Sequence, residues 1–258
     1  MATGRTGDKW VRVFIDGYDA SGWSRTIGPL ETTYDEHDLT AHMSDTVKGY
    51  QKGHAQVNIG TLNAVFDNTA TTGLHAVLGT AGAKRLVTVC YGMRAAPVDG
   101  DECFNGQFIQ GAYKVESSGA VTATIPFQGW AADGTYLAHA SPWGTLLHAN
   151  AARLAVTGAN TAVGFDNPTG AATAKGAIFY WQVTAGDGTA TIRAQDAAVN
   201  NDGGYADCLG LTSGVINCAV KQYGTAYQTG AIRQFVRWQI TFGTANTVTF
   251  LSALCRVY

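Results

Sequence analysis

The side chains best suited to chemistry in this sequence lie between residues 31 and 53. Residues 31–45 hold Glu31, Asp35, Glu36, Asp38 and Asp45 without a Lys or Arg among them, and Lys48, Tyr50 and Lys52 follow closely. Carboxylates packed this densely suit oxygen ligation of Ca²⁺. The run Asp35-Glu36-His37-Asp38 lacks, however, the alternating Asp/Asn spacing and the glycine that wrap such a loop around an ion. A solvated or intersubunit loop accounts for it better. A pair of acids for glycoside hydrolysis is defined by separation in space, and nothing in the spacing selects one. His37 and His42 sit in the same expected loop, which fixes no shared geometry. With His54, His75, His139 and His148 they read as isolated polar or half-buried histidines.

The remaining search removes reaction classes. The phosphate-cradling patterns GxxxxGK[ST] and GxGxxG are absent, as are the GxSxG nucleophile elbow and the HExxH zinc helix. Asn200-Asn201-Asp202 beside Tyr205 has the amides and the ring of a sugar-binding turn, yet a plain Asn/Asp/Gly hairpin turn explains the same residues. Cys90, Cys103, Cys208, Cys218 and Cys255 form no CxxC pair. They read as reduced, buried thiols of a protein folded in a cytoplasm, with a Cys208–Cys218 bridge as the minor alternative. The expectation is a protein without catalytic residues, metal or cofactor.

Composition supports a role in assembly. Charged residues make up only 14% of the 258 residues, while apolar residues reach 46%; about a quarter charged is usual. A surface so poor in charge is covered by small polar residues or buried against other subunits. With a net charge of −2, nothing suggests a dedicated duplex-DNA binder, which needs a basic patch. Residues 1–140 carry 10 Lys and Arg against 14 Asp and Glu, and residues 141–258 carry 7 against 5. The halves therefore differ in sign, −4 against +2, which suggests two modules. The N-terminus has no apolar core of the signal-peptide kind, and no run of about 18 apolar residues marks a membrane span. A soluble protein is expected.

The elements that would position these residues are mainly strands. Alternation predicts strands at 10–15, 54–59, 85–91 and 121–128, with 103–110 and 113–116 as a hairpin or a bulged pair around Gly111. Pro126 suggests that the strand at 121–128 sits at an edge or ends there. Residues 16–53 read as an extended, irregular loop with a strand or two inside it. One helix is expected over about 72–82, capped by Thr72 and closed at Gly82, with Leu74, Val77, Leu78 and Ala81 on one face. The turn clusters of 129–150 mark a joint at about 138–149. Beyond it, short strands at 152–156, 177–184, 189–194, 215–220, 232–242 and 247–257 predict a β-sandwich, Ig-like or jelly-roll-like. The fold class is mainly β: a domain over 1–140 and a second over 149–258.

The order of features in the first half resembles the tail tube (major tail) proteins of long-tailed bacteriophages. The likeness is carried by Val13-Phe-Ile-Asp-Gly-Tyr-Asp-Ala-Ser-Gly22, by the acidic run 33–45 leading into Val47-Lys-Gly-Tyr-Gln-Lys-Gly53, by the helix at 72–82, and by Gly106-Gln-Phe108 with Val121-Thr-Ala-Thr-Ile-Pro-Phe127. It covers roughly residues 10–130. The second half is similar to sandwich modules appended to virion proteins, through Ile192-Arg-Ala-Gln-Asp196, Asp207, Arg233-Gln-Phe-Val-Arg-Trp-Gln-Ile240 and Thr247-Val-Thr-Phe250. Where such modules carry a Ser-x-Asp-Asn-like run, this chain has Ala197-Ala-Val-Asn-Asn-Asp202.

The resemblance implies a virion protein assembled in the host cytoplasm, in which hexameric rings stack into a tube that passes DNA as non-specific cargo. Its partners are copies of itself and other tail proteins. The intersubunit loop would include Asp35, Glu36, Asp38, Asp45, Lys48, Tyr50 and Lys52, and the sandwich would decorate the outside. Three other readings stand beside it: a capsid cement or decoration protein, a glycan-binding tail adhesin, and a polysaccharide hydrolase.

Overall fold

The computed structural model describes residues 7–38, 50–129, 142–155, 160–161 and 172–257, with the backbone alone for 8, 34–38, 50–56, 160–161 and 202. The chain is mainly β and sandwich-like. Its first half contains β1 (Val11–Ile15), β2 (Tyr18–Asp19), β3 (Ser24–Asp38), β4 (Tyr50–Val65), the helix α1 (Leu74–Leu78), β5 (Lys84–Tyr91), β6 (Glu102–Gln110), β7 (Lys114–Ser118) and β8 (Ala120–Gly129). The second half contains β9 (Trp143–Leu154), β10 (Asn160–Thr161), β11 (Ala177–Gly186), β12 (Thr189–Ala197), β13 (Ala206–Asn217), β14 (Gln222–Gln228), β15 (Phe235–Phe242) and β16 (Thr247–Arg256). All the pairings among these strands are antiparallel.

One large sheet runs β14-β11-β16-β9-β6-β5-β1-β2, with β3, β4, β7 and β8 branching from β6. A second sheet is ordered β10-β15-β12-β13. Of the place expected for the joint, residues 138–141 lie outside the described residues and 143–149 belong to β9. β9 pairs with β6 on one side, Glu102 opposite Thr145, and with β16 on the other, Thr247 opposite Leu154. Strands from both halves therefore share one sheet.

Period-two alternation explains how that sheet is buried on both faces. In β1, Val13 and Ile15 enter a core with Leu62, Leu74, Phe104, Phe108 and Ile125, while Phe14 points the other way. In β11, Phe179, Trp181 and Val183 pack with Ile192, Trp238 and Phe250 between the two sheets, while Ile178 and Tyr180 face away. The residues facing away meet in a third core: Phe14, Leu86, Cys90 and Cys103 from the first half, with Leu146, Ile178, Tyr180, Leu251 and Cys255 from the second. The sheet thus rolls, and each half supplies part of the wall of this middle core.

A buried polar clip holds the roll closed. Gln182 of β11 is fully buried. Its Oε1 accepts the Gly17 backbone N–H at 2.8 Å, and its Nε2 donates to Thr88 Oγ1 at 3.0 Å. Gly17, at φ +82°, is needed here: a Cβ would stand 2.7 Å from the Val183 carbonyl oxygen. Asp16 beside it accepts the Leu86 N–H and the Arg85 guanidinium at 2.8 and 3.0 Å. Burial nevertheless pushes its carboxyl above the usual range.

Several local expectations change. The segment 103–110 does not form a hairpin with 113–116: β6 pairs with β5, β9 and the end of β8, whereas β7 pairs with β8 around Gly119 at φ +89°. Glycine at the tip supplies the left-handed turn that Gly111 does not. Pro126 is no edge marker, because β8 is flanked by β4, β6 and β7. It sits opposite Thr61, beside a register shift in β4 and inside a strand that runs on to Gly129. The helix is only Leu74–Leu78, with Gly73 at its N-cap and Gly79 at its C-cap. Thr72 does not cap it; Leu74, Val77 and Leu78 of the expected stripe are buried in the first-half core, while Ala81 lies beyond the helix and is exposed. All five cysteines are free and buried; burial pushes Cys103 and Cys208 up to about 12 and Cys218 to about 11.

Candidate assembly surface

The stretch expected as an irregular loop over residues 16–53 is largely a long hairpin. β3 and β4 stay in register from Ser24 opposite Ala64 to Asp38 opposite Tyr50, with shifts near Arg25 and Asp35. Over its base, β4 is held on its far side by β8, from Ile59 opposite Phe127 to Val65 opposite Thr122. Asn58 still reaches the end of β8, accepting the Gly129 N–H at 3.2 Å. Beyond that point the described residues contain no further strand beside either member of the pair. Residues 50–56 with their partners therefore form a two-stranded arm, about 20–25 Å long at the usual rise per residue. The correction has a physical cause. Thr32, Thr33 and Tyr34 suit a strand, but the polar residues after them carry no apolar alternation, so only pairing with β4 reveals the element.

The expected site residues fall as follows. Asp35, Glu36 and Asp38 lie within the last four positions of β3, and Tyr50 and Lys52 lie within the first three of β4. The register sets Glu36 opposite Lys52 and Asp38 opposite Tyr50. Asp45 and Lys48 lie outside the described residues, as does His42. An extended strand does not wrap four successive residues around one ion, so the calcium-loop reading of 35–38 loses its loop.

Two unexpected groups are brought together elsewhere. His148 on β9 is 1% exposed and stacks on Trp238 of β15 at 4.5 Å between ring centroids. Its Nε2 accepts from Arg153 Nε at 3.2 Å, and its Nδ1 lies 3.4 Å from Asp99 Oδ1. Desolvation holds the imidazole below its ordinary range, although Asp99 opposes the shift. The sign follows directly. A histidine whose folded value is depressed takes up a proton on unfolding, so the stability it supports at neutral pH is lost as pH falls below about 6.5. Urea unfolding at pH 7.5 and 5.5 should show the parent losing more stability on acidification than His148→Gln, at up to about 1.4 kcal/mol per pH unit across the window. Equal losses in the two proteins would contradict a neutral, buried His148.

The second group surrounds the 200–205 turn. Asp202–Gly204 is a 3-10 turn. The Tyr205 hydroxyl donates to Asn200 Oδ1 at 2.8 Å, and the Arg237 guanidinium lies over the Tyr205 ring at 4.0 Å. Arg237 is itself held by Gln195, and Asp207 accepts from Gln195 and Arg193 at 2.8 and 2.7 Å. Asp196 takes the Arg233 backbone N–H and guanidinium, both at 2.8 Å. The residues Gln195, Asp196 and Asp207 thus knit the edge of the second sheet, and one face of Tyr205 is occupied by an arginine. A sequence reading sees the charged types but not that they satisfy one another.

No protein-family model matches the chain, and no curated protein matches it. Among solved structures it is similar to the SPP1 Dit (gp 19.1) protein, described as a paradigm of the hub adsorption apparatus in phages infecting Gram-positive bacteria. The match has a TM-score of 0.32 and 8% identity, over 95% of this chain and 98% of that one. At that score we draw neither fold nor function from it.

Proposed function

We propose that this is a non-catalytic structural protein of a phage tail that assembles with copies of itself, and that its working form is a stack of hexameric rings enclosing a channel for DNA. The observation that carries the reading is the β3–β4 arm. A strand pair without further strand neighbours among the described residues is a liability in a monomer and a connector in an assembly. The reading is supported by the sequence resemblance to tail tube proteins over roughly residues 10–130, since Asp35, Glu36, Asp38, Tyr50 and Lys52 of the implied intersubunit loop belong to β3 and β4. The −4 balance of residues 1–140 suits a conduit that must not grip phosphates. Other tail proteins would cap the ends of the tube, and the 149–258 sandwich would lie outside it.

Antibody labelling of the parent particle tests the assignment. We expect label spaced along the tail. Label confined to the capsid surface would favour a cement protein and remove the tail assignment.

A further inference from the structure

Three of the 10 Lys and Arg residues in 1–140 line one cavity of about 430 Å³ between β1 and the start of β3. They are Lys9, Arg12 and Arg25, and no described carboxylate lines the cavity with them. Among the described side chains none of the three is in an ion pair. The backbone around the cavity is already satisfied, so this is a pocket and not a gap awaiting a strand. Val13 donates its N–H to Ser21 Oγ at 3.0 Å and accepts the Ala20 N–H at 2.8 Å, and the Ser24 N–H goes to the Ala20 carbonyl at 3.0 Å. These bonds tie the turn at 20–24 to β1 and fix one wall. Arg12 Nη1 is held by the carbonyl oxygens of Lys9 and Val11 at 3.0 and 2.9 Å, which leaves Nε and Nη2 to donate. Val11, Ile27 and Tyr91 make the rest of the wall apolar and aromatic. Tyr91 sits opposite Val11 in register, and its ring is braced by Trp143 at 5.6 Å between centroids. Burial pushes its hydroxyl up to about 12, so it stays neutral and adds no negative charge. Thr26 Oγ1 accepts from Asn63 at 2.9 Å, which leaves its proton for a further acceptor.

We propose that this cavity binds an organic phosphate ester with a compact, ring-bearing body, the chemistry that sugar phosphates and nucleoside monophosphates share. Its volume falls in the range of small-molecule sites, and its make-up is theirs: an apolar and aromatic wall with a few polar groups that fix orientation. Guanidinium groups pair with phosphate oxygens through two parallel bonds, and Arg12 and Arg25 supply two such groups. Three uncompensated cations favour a dianion over a carboxylate, whose single charge would leave them repelling one another. The Tyr91 ring and the aliphatic side chains of Val11 and Ile27 suit the face of a sugar or a base. A nucleic-acid strand is bound by cations along a track several nucleotides long, whereas these three share one cavity. The proposal stands whether or not the arm is the connector.

Isothermal titration calorimetry of the full-length protein in phosphate-free buffer tests the site with AMP, ribose phosphate, adenosine, ribose, inorganic phosphate and a thymidine oligonucleotide. At least one of the two esters should bind saturably, once per chain, and the tighter one identifies the body that fits. Inorganic phosphate, which lacks the body, should bind at least about tenfold more weakly. Adenosine and ribose, which lack the charge, should give no saturable heat. Arg25→Glu and Lys9→Glu should each weaken the ester at least about tenfold, the loss expected for one charge-assisted bond. Arg25→Gln should give a smaller loss in the same direction if the charge reversal disturbs folding, which circular dichroism reports. Absence of saturable binding with either ester up to about 10 mM overturns the proposal. So does inorganic phosphate, or an uncharged counterpart, that binds as tightly as the esters. An oligonucleotide that binds more tightly than AMP makes the three cations a nucleic-acid surface and overturns the ester site, and parental affinity in folded Arg25→Glu removes the cations from it.

Discussion

Replacing residues 35–54 by Asn-Gly should leave a folded subunit that no longer assembles. The cut joins Tyr34 to Ala55, which are register partners in the hairpin, through a two-residue turn of the type that matches strand twist. Nothing in the three cores is removed, since the core residues nearest the cut, Leu30 and Val57, remain on the hairpin base. Stability should therefore change by no more than about 1 kcal/mol, while higher-order species disappear. The checks are urea unfolding for the first effect and sedimentation velocity for the second. Assemblies that form as readily as those of the parent would show that the arm is not the connector.

A larger loss is expected when the chain is divided. Expressed separately, residues 1–141 and 142–258 should each fail to give a cooperative fold. The first piece would expose Phe14, Leu86, Cys90 and Cys103, and the second Leu146, Ile178, Tyr180, Leu251 and Cys255, all of which meet in the middle core. The first would also lose β9 from the edge of β6. Within the whole chain the same dependence should appear on changing one residue. Gln182→Ala strands the Gly17 N–H and the Thr88 hydroxyl in a closed interior and should cost about 1–3 kcal/mol. The whole protein should unfold in a single transition. Dispersed NMR spectra and cooperative melting for either piece alone would show that the halves are independent folding units.

What the sequence revealed and what it hid follow one physical line. Strands with one buried face were legible, because alternation carries the information. Ala123, Ile125 and Phe127 lie in the first-half core, and Val236, Trp238 and Ile240 between the sheets. Strands buried on both faces were legible as apolar runs, at 85–91 and 177–184, but a continuous run does not say which face meets which neighbour. The shared middle core was invisible for that reason. β14 was missed altogether, since Gln222–Gln228 is half-exposed and its Tyr223, Gly224 and Thr225 mix types without a period. The β3–β4 arm was seen as an irregular acidic segment with a strand or two inside it and not as one long hairpin, because its order comes from pairing. For the candidate site the residues were legible and the geometry was not. Asp35, Glu36 and Asp38 stood out by charge, whereas their pairing with the start of β4 did not. The polar partners Asp99, His148 and Gln182 gave no signal, since buried side chains of these types are set by what surrounds them.

The central claim, a self-assembling tail structure built through the arm, is tested most directly by electron microscopy of the purified full-length protein at high concentration. The account predicts six-fold rings that stack into hollow tubes, with the arm bridging neighbouring subunits. Particles that remain single subunits at every concentration would contradict it.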